Sequence, residues 1–263
     1  MKRVQLFEFE DFTWFPDVIR KNMTKLIVVF NKMMKLDEVI ANGIKPYLGK
    51  GKNIVDLGSG AGGIMPQVLN KIQTSEQKLH LTLTDLYPNK EAIAEFKNNE
   101  AIDYQMGSVN ALHLEKAPEG IKTMINCFHH MPLPTAKSIL KSAQSNKETL
   151  FIYEVTNKPL PLLVWWLFLP LSLIILIIMS LFMTPFTKPI TWQQLLFTYI
   201  IPIIPIAYAW DGQASMPRTY SKTDLESLVN ELPKDPKYHW EFMDGKNNKG
   251  KTTGYYFVGS PVN

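Results

Sequence analysis

The chain has 263 residues, 46% of them apolar and 20% charged, with a net charge of +4. That length suits one large domain, or one domain carrying an extra module, and the apolar share allows a sizeable core. The charge is mild and no dense basic run interleaves with aromatics, which argues against nucleic acid as a partner. A single cysteine, Cys127, excludes an intrachain disulfide and fits a reducing compartment.

Residues 1–48 come first. The start, MKRVQLFEFEDFTWFPDVIRK, is basic, but acidic residues interrupt it before an apolar run forms, so it does not read as a signal peptide. Phe7, Phe9, Phe12, Trp14 and Phe15 precede VIRKNMTKLIVVFNKMMKL, which reads as helix. Its mixture of aromatic and basic residues also suits a helix on a membrane surface.

The stretch NIVDLGSGAGG follows. Ile54–Leu57 is an apolar strand that runs into a glycine-rich turn. Gly58, Gly60 and Gly63 fit the dinucleotide pattern G-x-G-x-x-G, and Gly58, Gly60 and Gly62 fit G-x-G-x-G. Asp56, two residues before the first glycine, separates the readings. A carboxylate there repels a pyrophosphate and attracts a cationic ligand. Some 50 residues also precede this strand, whereas dinucleotide folds usually begin almost at it. The next strand, LHLTLTDLYP, alternates apolar residues and ends at Asp85, followed by Leu86. A carboxylate at that point suits vicinal hydroxyls, because it accepts from both.

On these residues, VDLGSGAGG resembles motif I of the class I S-adenosylmethionine-dependent methyltransferases, D-x-G-x-G-x-G, and the likeness covers most of 50–156 and 218–260. It implies a Rossmann-like seven-stranded sheet with a C-terminal antiparallel hairpin, binding S-adenosyl-L-methionine, with no metal. It places Asp56, Gly58, Ser59, Gly60 and Gly62 at the cofactor's methionine end, Asp85 on the ribose and Leu86 against the adenine. Residues 1–48 become a helical lid, and 49–158 the cofactor-binding core.

The third strand, IDYQMGSVNAL, carries Ser108, Val109 and Asn110 where the family usually has an acid for the adenine amine. Ser108 or Asn110 is the expected substitute acceptor. The fourth, IKTMINCFHHMP, brings Asn126 to the cofactor and His129 and His130 to the reaction site. A histidine there suits removal of an acceptor proton. The fifth, TLFIYEVTN, ends at Glu154, a second candidate base or orienting group.

Two uncharged runs come next: 29 positions between Lys158 and Lys188, and 22 between Lys188 and Asp211. A bilayer core needs about 20 apolar residues as helix. Leu162–Met183 meets this comfortably. Thr191–Trp210 contains Gln193, Gln194, Pro202 and Pro205, and reads as a kinked or re-entrant segment. Residues 159–210 are thus expected to form a two-helix membrane insertion between strand 5 and the next helix, with Trp and Tyr near the ends of both runs. Such an insertion leaves the sheet at its C-terminal edge, where open α/β sheets bind ligands.

Residues 211–263 resume the core. Arg218 and Tyr220 are candidates for acceptor binding, Arg218 through an anionic head group. TYSKTDLESLVNEL reads as a helix capped at Ser221 with Asp224 at its third position, and KYHWEFMDG and KTTGYYFVGS as a β-hairpin. The expectation is a membrane enzyme with its catalytic domain facing the cytoplasm, methylating a hydrophobic small molecule or lipid acceptor. The alternatives are a tethered methyltransferase with a soluble acceptor, and a non-catalytic cofactor-binding membrane protein.

Overall fold

The computed structural model describes residues 3–49, 53–74, 78–155 and 161–262. The chain divides into two compact units. One comprises 35–157 and 222–263, the other 1–34 and 158–221.

The first is a seven-stranded sheet. Strands β1 (Ile54–Leu57), β2 (Leu81–Thr84), β3 (Ile102–Tyr104), β4 (Ile121–Ile125), β5 (Leu150–Glu154), β6 (Tyr238–Lys246) and β7 (Thr252–Pro261) lie in the order β3-β2-β1-β4-β5-β7-β6. The pairs among β1–β5 are parallel; β7 runs antiparallel to both β5 and β6. The central strands are buried at every position, as parallel strands covered on both faces must be.

Lys122 is the exception in β4. Its side chain is 1% exposed, and its ammonium is met by the Pro118 carbonyl at 2.8 Å and the Glu148 carboxylate at 2.9 Å. A charge so buried is tolerable only with such partners.

Among the helices of this unit, α2 (Leu36–Ile44) and α3 (Met65–Ile72) share a core with the sheet, in which Leu36, Ile40, Val68 and Leu69 meet Ile54, Leu81 and Phe151. The Tyr256 hydroxyl donates to the Val39 carbonyl at 2.7 Å and fixes α2 on β7. The chain divides at Met34–Lys35, and α2 belongs to the sheet unit. Helices α4 (Lys90–Phe96) and α5 (Leu133–Asn146) connect the next strands. The lengthened loop expected before β2 includes 75–77, outside the described residues.

In the second unit, α1 (Asp17–Met33), α6 (Leu162–Met183), α7 (Trp192–Leu195) and α8 (Ile203–Arg218) pack around Phe15, Ile19, Met23, Leu26, Met183 and Ile204. A π-helical stretch, Leu196–Ile200, extends α7, and the chain then bends by 78° into α8 at Ile201–Pro202. Pro202 cannot donate to the preceding turn, which gives the break a cause. Together with the turn that follows it, α6 is the one described helix long and apolar enough to cross a membrane unbroken. Its start adjoins residues 156–160, including Lys158, which lie outside the described residues.

The boundary expected at residue 210 does not fall there. Helix α8 runs through Asp211 to Arg218 because the N-terminal segment satisfies both charges. Asp211 accepts from the Phe9 and Glu10 amides at 2.7 and 3.2 Å, and the Arg218 guanidinium lies 3.1 Å from Glu8 and 2.6 Å from Asp11. An open cleft of about 330 Å³ in this unit is lined by apolar side chains, including Phe9, Trp14, Phe15, Phe197 and Ile203.

Candidate active site

The turn after β1 is held by hydroxyls. Parallel register sets Asp56 beside Thr123 of β4, and the Thr123 hydroxyl donates to one carboxylate oxygen at 2.7 Å. The Ser59 hydroxyl lies 2.7 Å from the other and accepts the Thr84 amide at 3.1 Å. The Thr84 hydroxyl donates to the Asp56 carbonyl at 2.8 Å. Burial without a cation pushes the Asp56 carboxyl up to about 7. The bonds from Ser59 and Thr123 oppose the rise, and the nearby Asp85 charge adds to it. Asp56 thus anchors the turn; both its oxygens are already engaged by the protein.

The turn it anchors places Gly58, Gly60 and Gly62 at positive φ, where glycine is favoured. At Gly60 (φ +52°) an added Cβ would meet no protein atom within 4 Å. The space beside that backbone is therefore open, and Gly60 faces it without a side chain. The Gly60 amide donates to Asp85 at 2.9 Å, and the other Asp85 oxygen accepts the Tyr87 amide at 2.8 Å. An ionised carboxylate has about four acceptor sites, so Asp85 retains capacity for two more donors.

The ends of β2 and β3 close on the same point. The Val109 amide donates to the Asp85 carbonyl at 2.9 Å, and the Ser108 hydroxyl to the Leu86 carbonyl at 2.7 Å. Ser108 thus ties two loops together. The Asn110 side chain caps its own turn by accepting from Leu112 at 2.9 Å. Leu86, Tyr87 and Met106 are large apolar residues left exposed. Leu86 and Tyr87 follow the acid directly and offer apolar surface suited to a flat ring. The residues fit the group that the glycine pattern implies: a glycine backbone facing open space, a carboxylate with spare acceptors and exposed apolar surface.

At the ends of β4 and β5 a second cluster forms. Asn126 sits at φ +53°, and its side-chain oxygen accepts the Val155 amide at 3.0 Å. The chain then makes a tight turn, Phe128–His130. Here Glu154 accepts from the His129 backbone amide at 3.0 Å through one oxygen, and lies 2.8 Å from His129 Nδ1 through the other. His129 and Glu154 are both buried. Two contacts to one carboxylate fix the orientation of the ring. The His130 ring lies 4.3 Å from that of His129, centroid to centroid. The Cys127 thiol is pushed well up, first by burial and then by the charges of Asp56, Glu154 and Asp85, so it is no nucleophile.

The structure therefore ties Asp56 to Ser59, Asp85 to Gly60 and Val109, and Ser108 to Leu86 around one turn, and joins His129 to Glu154 at the ends of β4 and β5, where Asn126 bonds to Val155. Arg218 and Tyr220 belong to the apolar unit. Arg218 is 1% exposed and its charge is already met by Glu8 and Asp11. Tyr220 is buried beneath the Arg3 guanidinium, 4.4 Å from the ring centroid. Both residues hold their own unit together.

Sequence reasoning missed Thr84, Thr123 and Tyr104. The Tyr104 hydroxyl donates to the Gly60 carbonyl at 2.8 Å, which clamps the turn from β3. Burial raises that phenol to about 12, so it remains a donor. Thr123 had a readable signal, since a hydroxyl in an apolar central strand needs a polar partner.

The sequence matches no family model and no curated protein. Solved structures do match. The small RNA methyltransferase HEN1 is 14% identical with a TM-score of 0.51, over 88% of this chain and 25% of that one. The plantazolicin methyltransferase BpumL in complex with SAH is 10% identical with a TM-score of 0.50, over 93% and 98%. The CurJ carbon methyltransferase is 11% identical with a TM-score of 0.47, and this chain spans 54% of its length. With its strand order and late antiparallel hairpin, the sheet unit has the class I methyltransferase fold.

Proposed function

We propose that the protein is a membrane-associated S-adenosylmethionine-dependent methyltransferase with an apolar or lipid-like acceptor. One observation carries the reading: on a methyltransferase sheet, the exposed Gly60 backbone and the Asp85 carboxylate lie together at the C-terminal edge, where that fold leaves room for a ligand. The BpumL structure with SAH supports the choice of cofactor.

Gly58, Gly60 and Gly62 would lie beneath the cofactor, Asp85 would accept from its ribose hydroxyls, and Leu86 would cover its adenine. Bound there, S-adenosylmethionine supplies a methyl group already activated by a sulfonium. The protein's task is then mainly to position the acceptor. Where the acceptor must lose a proton, His129 is the base. Glu154 orients its ring and stabilises the positive charge that the ring acquires with the proton.

The membrane part rests on α6 and on where it departs. The chain leaves the sheet unit just after Glu154, at the ligand-binding edge, and returns at Lys222. An apolar insertion at that point suits an acceptor drawn from lipid. The cytoplasmic orientation of the sheet unit follows from where the methyl donor is made. The test replaces 158–221 with a short glycine-serine loop. The truncated protein is expected to bind cofactor but to lose activity toward membrane acceptors, even when re-anchored by an unrelated terminal helix. Recovery on re-anchoring would mean that the insertion is only a tether.

A further inference from the structure

We infer that the apolar unit embeds in a single leaflet of the bilayer rather than crossing it; this rests on the membrane reading above and goes beyond it to the mode of embedding. The surface concerned is the broad exposed side of α6, which includes Val164, Trp166, Phe168 and Ile175. Leu163, Leu167, Leu171, Ile174, Ile178 and Phe182 recur at helical spacing and are all exposed. Beyond the end of α6, Phe186, Ile190, Trp192, Tyr199 and Ile200 continue the exposed apolar surface. A 22-residue helix is about 33 Å long, enough to span hydrocarbon, so length alone does not choose between crossing and lying flat.

Helix α1 decides it. Phe15, Ile19, Met23, Leu26 and Val29 form one core with Met183 at the end of α6 and Ile204 at the start of α8. The Lys25 ammonium donates to the Pro189 carbonyl at 2.8 Å, in the loop beyond α6. Helix α1 is thus bound to the end of α6 that a crossing would place on the far side. Yet α1 ends at Met33, and the chain enters the sheet unit at Lys35. From Lys25 to Met33 is eight residues, about 12 Å of helix, well short of a hydrocarbon core of about 30 Å.

Crossing would therefore leave the stretch of α1 from Lys25 to Met33 to bridge back through lipid, carrying Lys25 and Lys32. Charged side chains are rare in that environment, and there they face a bundle interior or a water-filled cavity. On a single leaflet the same residues are favourable. Cations beside an apolar face suit a helix at the headgroup level, attracted to anionic lipid. Lys188, exposed between Phe186 and Trp192, marks the same interface at the loop. The apolar cleft lined by Phe9, Trp14 and Phe197 offers room for an acyl chain from that leaflet.

The experiment uses the full chain carrying Cys127→Ser, with a single cysteine at Lys188 or at Lys249. Each variant is reconstituted into sealed vesicles of mixed neutral and anionic phospholipid, then floated on a density gradient without detergent. A membrane-impermeant maleimide is added outside to floated vesicles whose Lys249→Cys protein labels fully, which fixes the sheet unit outward. Lys188→Cys is expected to label from the same side, before the vesicles are opened. Labelling of Lys188→Cys only after detergent, with the protein floating, would overturn single-leaflet embedding and leave the membrane reading intact. Failure to float at all would remove the membrane reading and this inference with it.

Discussion

Two buried polar groups, one in each unit, are met in opposite ways. In the sheet unit, Asp56 is met by neutral donors, the hydroxyls of Thr123 and Ser59. In the apolar unit, Arg218 is neutralised by opposite charge, from Glu8 and Asp11. The first arrangement shapes a turn whose backbone stays open at Gly60. The second closes on itself and leaves apolar side chains outermost. Polar residues at a sheet edge therefore point to chemistry, whereas those within the apolar unit hold its segments together.

The sharpest way to break that comparison is Arg218→Ala. Removing one partner of a buried ion pair leaves the others uncompensated, at a cost of about 3–5 kcal/mol. Because Glu8 and Asp11 lie some two hundred residues from Arg218, the N-terminal segment should come loose from α8. Thermal unfolding and limited proteolysis near Phe9 would read this, and unchanged stability would show that Arg218 does not hold the N-terminal segment in place.

Asp56 gives the converse on the sheet side. Its carboxyl titrates near 7 in the folded chain and near 3.8 unfolded. The folded state therefore holds the extra proton between those values. Its contribution to stability is fully present below the unfolded value and is lost as pH rises through 7. A shift of that size corresponds to a few kcal/mol, on the order of 4. Asp56→Asn should flatten this slope in denaturant titrations across pH, because the amide cannot ionise. An identical slope in the variant would show that another group carries it.

For chemistry, His129→Ala should lower turnover by about 100-fold while cofactor affinity stays the same. Single-turnover kinetics with separate cofactor titration would distinguish the two. Near-normal turnover would mean that positioning alone suffices. The smallest effect is expected at Asp85→Ala, which should weaken cofactor binding by about 1–3 kcal/mol by calorimetry, the cost of losing hydrogen bonds to a charged group.

Much of the sheet unit was legible because its signals are local. Ile54–Leu57 is a short apolar run ending in glycines, Asp85 closes an alternating strand, and the hairpin is bounded by KNNKG. Positions settled by distant partners were not legible. Arg218 reads as a solvent-facing cation at the exit of an apolar run, since nothing near it in sequence announces Glu8 and Asp11. The split at Met34–Lys35 was hidden because α1 and α2 are both amphipathic and nearly continuous. What separates them is which core each face meets. Tyr104 reads as a strand residue, and its hydroxyl's reach to Gly60 depends on β3 lying two strands from β1.

The most direct measurement supplies the purified full-length protein with S-adenosylmethionine labelled on its methyl and a total membrane lipid extract in vesicles. The account predicts label in the organic phase, lost in Gly60→Val and in the glycine-serine replacement of 158–221. Label in soluble molecules alone would contradict the lipid-like acceptor, and no transfer to either phase would contradict the methyltransferase reading itself.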